Sequence, residues 1–215
     1  MALPQADGRI GLRDYPLGPA LGQCCGGRVQ LAFEALTADL LAALAQAALA
    51  ALAPVALFGG GHVGHALARL LVTLPLRVDW IDSRDAVFEP WSESPPPANL
   101  RTEPSDPVQA AVAGLAAGSR VLIMSYSHAE DFDITVACLE RLRTRGDLPF
   151  IGLIGSRTKW ATFSRRLRQR GFSDGEIAAV TCPIGIAGIT GKEPEVIAVA
   201  VAAQLLRNLA DRPGR

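Results

Sequence analysis

The sequence lacks a surplus of either charge. Its 21 Lys and Arg balance 21 Asp and Glu, whereas a dedicated nucleic-acid binder carries a clear positive excess. The one basic cluster, SRRLRQR at 164–170, reads as the solvated face of a helix. A lipid-compatible run is also missing. Residues 40–57 are uncharged and long enough on count alone. However, Gln46 and Pro54 interrupt them, and alanine, nearly neutral for insertion, fills much of the rest. The stretch predicts an alanine-rich helix that packs closely and stops before Pro54. The opening residues, MALPQADGRIGLRDY, show no basic start followed by an apolar run, so no signal peptide is expected. The expectation is a cytoplasmic protein with no nucleic acid and no membrane among its partners.

Cysteine is scarce. Cys24, Cys25, Cys138 and Cys182 show no C-x-x-C spacing, so neither a disulfide framework nor a structural zinc site is expected. Free thiols in a reducing compartment fit better. Cys138 sits inside the helical pattern DITVACLERL and reads as a small buried residue.

What is present is apolar residue at regular intervals. At 49% apolar over 215 residues the chain can build a core, either as one domain or as a domain with an appendage. Residues 1–35 are rich in glycine and proline and read as irregular, and a helix over 37–53 follows with Thr37 as its cap. Strand and helix patterns then alternate. Strands are expected at 54–59, 77–82, 99–103, 120–125 and 150–155. Helices are expected at 63–73, 107–117, 131–145, 156–171, 173–180 and 193–210, and a surface loop at 88–97. Such alternation predicts an α/β fold: a Rossmann-like, doubly wound parallel sheet with a short irregular N-terminal segment and helix. The domain division reads 1–53, carrying the CCGG loop and the alanine-rich helix, and 54–215, the Rossmann-like domain.

The stretch ALFGGGHVGHAL places Gly59, Gly61 and Gly64 in a G-x-G-x-x-G pattern between a strand and a helix, the context that pattern requires. Gly60 and His62 complete the loop. The first glycine permits the turn, the second lets a phosphate approach the backbone, and the third lets helix and strand pack closely. The helix N-terminus then offers free N–H groups to an anion. Asp82 ends the next strand, where an acid can accept hydrogen bonds from ribose hydroxyls or simply cap the next helix. Arg84 leaves room for a 2′-phosphate, so NAD and NADP stay unseparated. His65 reads as a helix-face residue.

A hydride-transfer enzyme needs more than this loop. SYSHAEDFD (125–133) offers His128 as a base beside Ser127, Asp131 and Asp133. Ser127 and Asp131 fit helix capping equally well. GSRTK (155–159) offers Ser156, Arg157 and Lys159, either as an anion pocket or as ordinary helix-start residues. Two glycine-rich loops carry thiols: LGPALGQCCGGRV with Cys24 and Cys25, and TCPIGIAGITGKEPE with Cys182. Thiolates are soft ligands suited to metals and sulfur chemistry.

Taken in order, LGPALGQCCGG, FGGGHVGHAL, VDWIDSR, SHAEDFD, LPFIGLIGSRTKWATF and CPIGIAGITGKEPEVIAVAVAAQLL resemble the XdhC family, from about residue 17 to 207. These are accessory proteins of xanthine dehydrogenase maturation. The resemblance implies that the chain binds the molybdenum cofactor, a molybdopterin. It implies that a cysteine desulfurase helps replace one oxo ligand by sulfur, and that the cofactor passes to apo-xanthine dehydrogenase. It makes the chain a cofactor-binding maturation chaperone rather than an enzyme. Family members usually carry a GTIGGG-like motif ahead of the LGP run, which here begins at Leu17. On this reading Gly59, Gly60, Gly61, His62 and Gly64 hold the phosphate end, and Asp82, Ser127 and His128 count among the cofactor-binding residues. Cys182, and behind it Cys24 or Cys25, lie near the molybdenum or protect its exchangeable ligand. Cys182 is the expected metal contact. The alternatives are an NAD(P)-dependent oxidoreductase using His128, and a Rossmann scaffold without chemistry. The apolar final helix fits either a homodimer interface or a sheet-covering helix.

Overall fold

The structure, a computed structural model, describes residues 11–17, 27–91 and 96–210. The chain divides into two units, Met1–Ala48 and Leu49–Arg215. The first unit contains an antiparallel pair, β1 (Gly11–Leu17) and β2 (Gly27–Phe33), in register from Gly11↔Phe33 to Leu17↔Gly27. This corrects the expectation of an irregular N-terminal segment. Val29, Leu31 and Phe33 do alternate along β2, but surrounding glycines and Pro16 obscured the signal. Helix α1 (Ala38–Ala50) follows, with the Thr37 Oγ1 accepting the Leu40 N–H at 3.1 Å as a cap. It buries none of its residues, contrary to the expected close packing.

The second unit runs β3 (Ala53–Phe58), α2 (His62–Leu71), β4 (Leu76–Asp82), β5 (Leu100–Pro104), β6 (Arg120–Ile123), α3 (His128–Arg145), β7 (Phe150–Leu153), α4 (Arg157–Gln169), α5 (Asp174–Ile177), β8 (Val180–Thr181) and α6 (Pro194–Ala210). All six strands are parallel, in the order β5-β4-β3-β6-β7-β8. Counted from β3 this is 3-2-1-4-5-6, the doubly wound Rossmann order. The chain reverses its direction of winding between β3 and β6, so the crevice for a ligand opens at their carboxyl ends.

Both faces of the sheet are covered, so the central strands are apolar on both sides. Ala56, Phe58, Val121 and Ile123 face α3, α4 and a 3₁₀ turn at Val108–Gly114. Val55, Leu57, Trp80 and Leu122 face α2 and α6. Helix α6 buries Ala198, Val201, Ala202 and Leu205 against this second face, so the sheet-covering role is filled. Among the described residues no helix is long and apolar enough to cross a membrane.

Three local expectations fail for physical reasons. The segment at 107–117 forms a 3₁₀ turn rather than an α-helix. Its Val112 and Leu115 carbonyls accept hydrogen bonds from the buried Arg141 guanidinium at 2.7 and 2.9 Å, which compensates for the missing helical bonds. The expected surface loop begins with a second 3₁₀ turn, Asp85–Trp91, that buries Phe88 edge-on against Trp80 at 5.2 Å. The stretch at 173–180 starts as the predicted helix, which the structure opens with a Ser173/Glu176 capping box. It then turns into the sixth strand, β8, because Val180 and Thr181 pair with Ile151 and Gly152.

Candidate functional site

The glycine loop lies between β3 and α2, at the reversal point of the sheet. Its glycines divide their roles by the space around them. A Cβ on Gly59, whose φ is +120°, would sit 2.0 Å from the Met124 carbonyl oxygen, and one on Gly64 would sit 2.1 Å from the Gly59 carbonyl oxygen. Both positions therefore exclude a side chain through backbone contact. Gly60 is closed by Val87, at 2.5 Å. Gly61 has nothing within 4 Å; the backbone is open there, where an anion would approach. The Gly59 carbonyl accepts the Trp80 indole N–H at 2.9 Å.

No side chain caps α2. Its first N–H groups remain to be paired by solvent or ligand, and they carry the partial positive charge of a helix N-terminus. Helices α3, α4 and α5, by contrast, are capped by Ser127, Ser156 and Ser173. Gly61 and His62 are exposed at this end. His65 points instead into the aromatic layer, edge-on to Trp80 at 4.9 Å, with its Nδ1 accepting from the Trp91 indole at 3.4 Å. Burial, with the charge of Arg69, holds its pKa below the ordinary histidine value.

Asp82 stands where the sequence placed it, at the end of β4 and 1% exposed. Its Oδ2 accepts the Gly60 N–H at 2.6 Å and the Arg84 Nη2 at 3.0 Å; its Oδ1 accepts the Arg84 backbone N–H and Nε, both at 2.9 Å. Burial pushes this carboxyl up. The hydrogen bonds from Arg84 and Gly60, with the Arg84 charge, outweigh burial and hold it below the ordinary range. Sequence reasoning anticipated the acid but not that its oxygens are already engaged.

At the end of β6, Ser127 is the cap of α3, accepting the Glu130 N–H at 3.1 Å. His128 is the first residue of α3 and exposed. Asp131 is buried. It accepts the Ser125 N–H at 2.8 Å through Oδ1 and the Lys159 ammonium at 2.5 Å through Oδ2; the same ammonium donates to the Ile154 carbonyl at 2.8 Å. This pair ties the end of β6 to the end of β7. The sequence named both residues but gave them separate roles, since they lie 28 positions apart.

Cys182 follows β8 and is half-buried. A Cβ on Gly155 would stand 3.5 Å from its sulfur, which places the thiol beside the loop after β7. Burial pushes its pKa to about 11, against the opposing pull of Lys159, so it is a thiol at neutral pH. Cys138 is fully buried and pushed up to about 12, as expected of a packing residue. Cys24 and Cys25 lie outside the described residues. Among the described residues no group of three or more His, Cys, Asp or Glu could hold a metal ion. Next to Cys182, a groove of about 410 Å³ opens between residues 183–191 and α6, walled by Ile184, Ile186, Ile189 and Val196 with Arg157 at its edge.

Comparison with known proteins agrees with this fold. The family described as the XdhC Rossmann domain matches residues 55–205. The uncharacterized protein YqeB of Escherichia coli (strain K12) is 27% identical over 158 residues, which cover 74% of this chain and 28% of that protein. A crystal structure of a xanthine dehydrogenase from Bacillus halodurans superposes with a TM-score of 0.57 at 21% identity, over 75% of this chain and 44% of that one. At that identity the likeness bears on the fold alone. The chain thus spans less than half the length of either protein.

Proposed function

The chain belongs to the XdhC family, and from that premise we propose that it is an accessory protein of xanthine dehydrogenase maturation that holds the molybdenum cofactor. It supports sulfuration of that cofactor by a cysteine desulfurase and passes it to the apo-enzyme. One observation carries the reading: an uncapped helix N-terminus behind a glycine loop whose backbone is open at Gly61, at the reversal point of a Rossmann sheet. That arrangement suits the phosphate of a molybdopterin.

The donor set suits a metal that arrives already chelated. The described residues build no metal centre of their own, and Cys182 is a single protonated thiol. The molybdenum cofactor brings its own sulfur ligands and supplies, when bound, the metal whose exchangeable ligand becomes sulfur. Cys182 and the loop that follows it then line the far end of the carboxyl edge. That edge spans three strand spacings from β3 to β8, about 14 Å at about 4.8 Å each. A ligand anchored by phosphate at one end and shielded by a thiol at the other fits such a span. The oxidoreductase reading draws less support. Asp82 has no oxygen left for a ribose, and His128 faces solvent.

The test is the pterin content of protein purified from a molybdenum-replete host, with activation of apo-xanthine dehydrogenase as the second readout. Wild type is expected to retain molybdopterin, and Gly61→Val to lose most of it. Cys182→Ala is expected to retain the pterin and lose activation. A wild-type preparation free of pterin would remove the cofactor-holding role.

A further inference from the structure

The Asp82–Arg84 pair makes the Rossmann crevice unlike a plain dinucleotide site. A carboxylate accepts about four hydrogen bonds, and Asp82 receives four: two from backbone N–H groups and two from one guanidinium. A ligand docking through a ribose diol needs two of those positions. The backbone donors at Gly60 and Arg84 belong to the loop itself and stay. The guanidinium is the part that can leave, since it sits on a flexible stem and is 42% exposed.

Arg84 also spans the crevice. Its guanidinium lies over the Tyr126 ring, 4.5 Å from the centroid. One residue earlier, Ser83 donates to Glu130 Oε1 at 2.7 Å. Ser83 and Arg84 follow β4, and Tyr126 and Glu130 follow β6, the two strands that flank β3. Both contacts therefore cross the end of β3, beside the glycine loop. The guanidinium spends two of its five N–H groups on Asp82 and keeps the other three for an anion. The Oε2 of Glu130 is buried with no partner among the described residues, so the same crossing also offers an unpaired acceptor to a donor on the ligand.

We propose that Arg84 sets the ligand class of the crevice: paired with Asp82 it refuses a ligand that docks through a free ribose diol, and released from Asp82 it takes a phosphate. This rests on the reading of the glycine loop as an anion cradle and on nothing else in the proposed function. Arginine suits the task because its planar fork pairs with a phosphate as readily as with a carboxylate.

NADH and NADPH are the probes, differing only in a 2′-phosphate. Each is titrated by fluorescence into the full chain as wild type, Arg84→Ala, Arg84→Gln and Arg84→Ala/Asp82→Asn. Wild type is expected to favour NADPH by at least about tenfold, which is about 1.4 kcal/mol. Arg84→Ala is expected to bind NADH at least about tenfold more tightly than wild type and to lose the NADPH preference. Adding Asp82→Asn is expected to abolish the gain. Arg84→Gln retains an uncharged amide donor group for Asp82, is expected to fall between, and decides the matter if the alanine variant does not fold. Equal NADH affinity in wild type and both Arg84 variants, including no binding in any, overturns the inference; so does a gain that survives Asp82→Asn. Pterin content is measured separately. A pterin-free wild type with the NADH gain removes the cofactor role and keeps this inference, and the opposite pattern does the reverse.

Discussion

Replacing Gly64 and Gly61 by alanine, one at a time, separates the loop's folding role from its binding role. At Gly64 two effects compete. Alanine in place of glycine inside a helix is worth about 1 kcal/mol, and Gly64 is the third residue of α2. Against this, the new Cβ would lie 2.1 Å from the Gly59 carbonyl oxygen. Ordinary contact begins near 3.4 Å, so helix and loop must separate by more than an ångström. That oxygen cannot simply move away, because it holds the Trp80 indole at 2.9 Å. Overpacking a tight site costs about 1–3 kcal/mol, and a backbone clash of this depth belongs at the upper end. The net expectation is a destabilisation of about 2 kcal/mol. For a unit of this size that is roughly 4–8 °C in Tm. At Gly61 no atom lies within 4 Å and φ is −79°, which any residue adopts, so Gly61→Ala should change stability by less than about 0.5 kcal/mol. It should still weaken pterin retention, by crowding the open backbone. Urea unfolding of the three proteins measures the first quantity, and pterin content the second. The reasoning is refuted if Gly64→Ala is as stable as wild type, or if Gly61→Ala loses more stability than Gly64→Ala.

Three further outcomes follow from the charges and thiols. Lys159→Met leaves Asp131 buried without its cation and should cost about 3–5 kcal/mol in urea unfolding, most of it recovered in Lys159→Met/Asp131→Asn; a loss below 1 kcal/mol would mean that the pair is not buried in solution. The Asp82 carboxyl is held below its ordinary 3.8 in the folded chain, so its contribution is complete above that value and is lost as pH falls through the lower, folded one. The Tm of wild type should therefore drop more steeply below pH 4 than that of Asp82→Asn, and parallel curves would contradict this. Alkylation of Cys182 by iodoacetamide, followed by peptide mapping, should accelerate about tenfold per pH unit up to about pH 11; a plateau near neutrality would show a thiolate held by Lys159.

The sheet was legible because β3, β6 and β7 are short apolar runs set between helical patterns and β4 alternates apolar with charged residues, whereas β5, LRTEP, buries only Leu100. The glycine loop was legible because its steric demands are fixed by spacing within six residues. Ser127 was readable as a cap for the same local reason. What escaped the sequence depends on partners distant in the chain. Val180 and Thr181 look helical until Ile151 and Gly152 pair with them. Phe88 sits in a stretch of proline and glutamate that announces a loop, yet Trp80 draws it into the core. Asp82 was correctly placed, but whether its oxygens are free depends on the rotamer of Arg84. Asp131 and Lys159 each had an adequate local role, which hid their pairing across two strand ends. The fold was thus read from periodicity, while the site was read only as far as its backbone.

The indole of Trp80 fastens the glycine loop from the neighbouring strand, and Val87 presses on it from the turn beyond. The cradle is consequently preorganised: its shape is maintained by the core and does not wait for a visitor. A ligand arriving there loses no affinity to the entropy of ordering a loop. Association should be a single fast step, with any slow phase confined to the departure of Arg84 from Asp82.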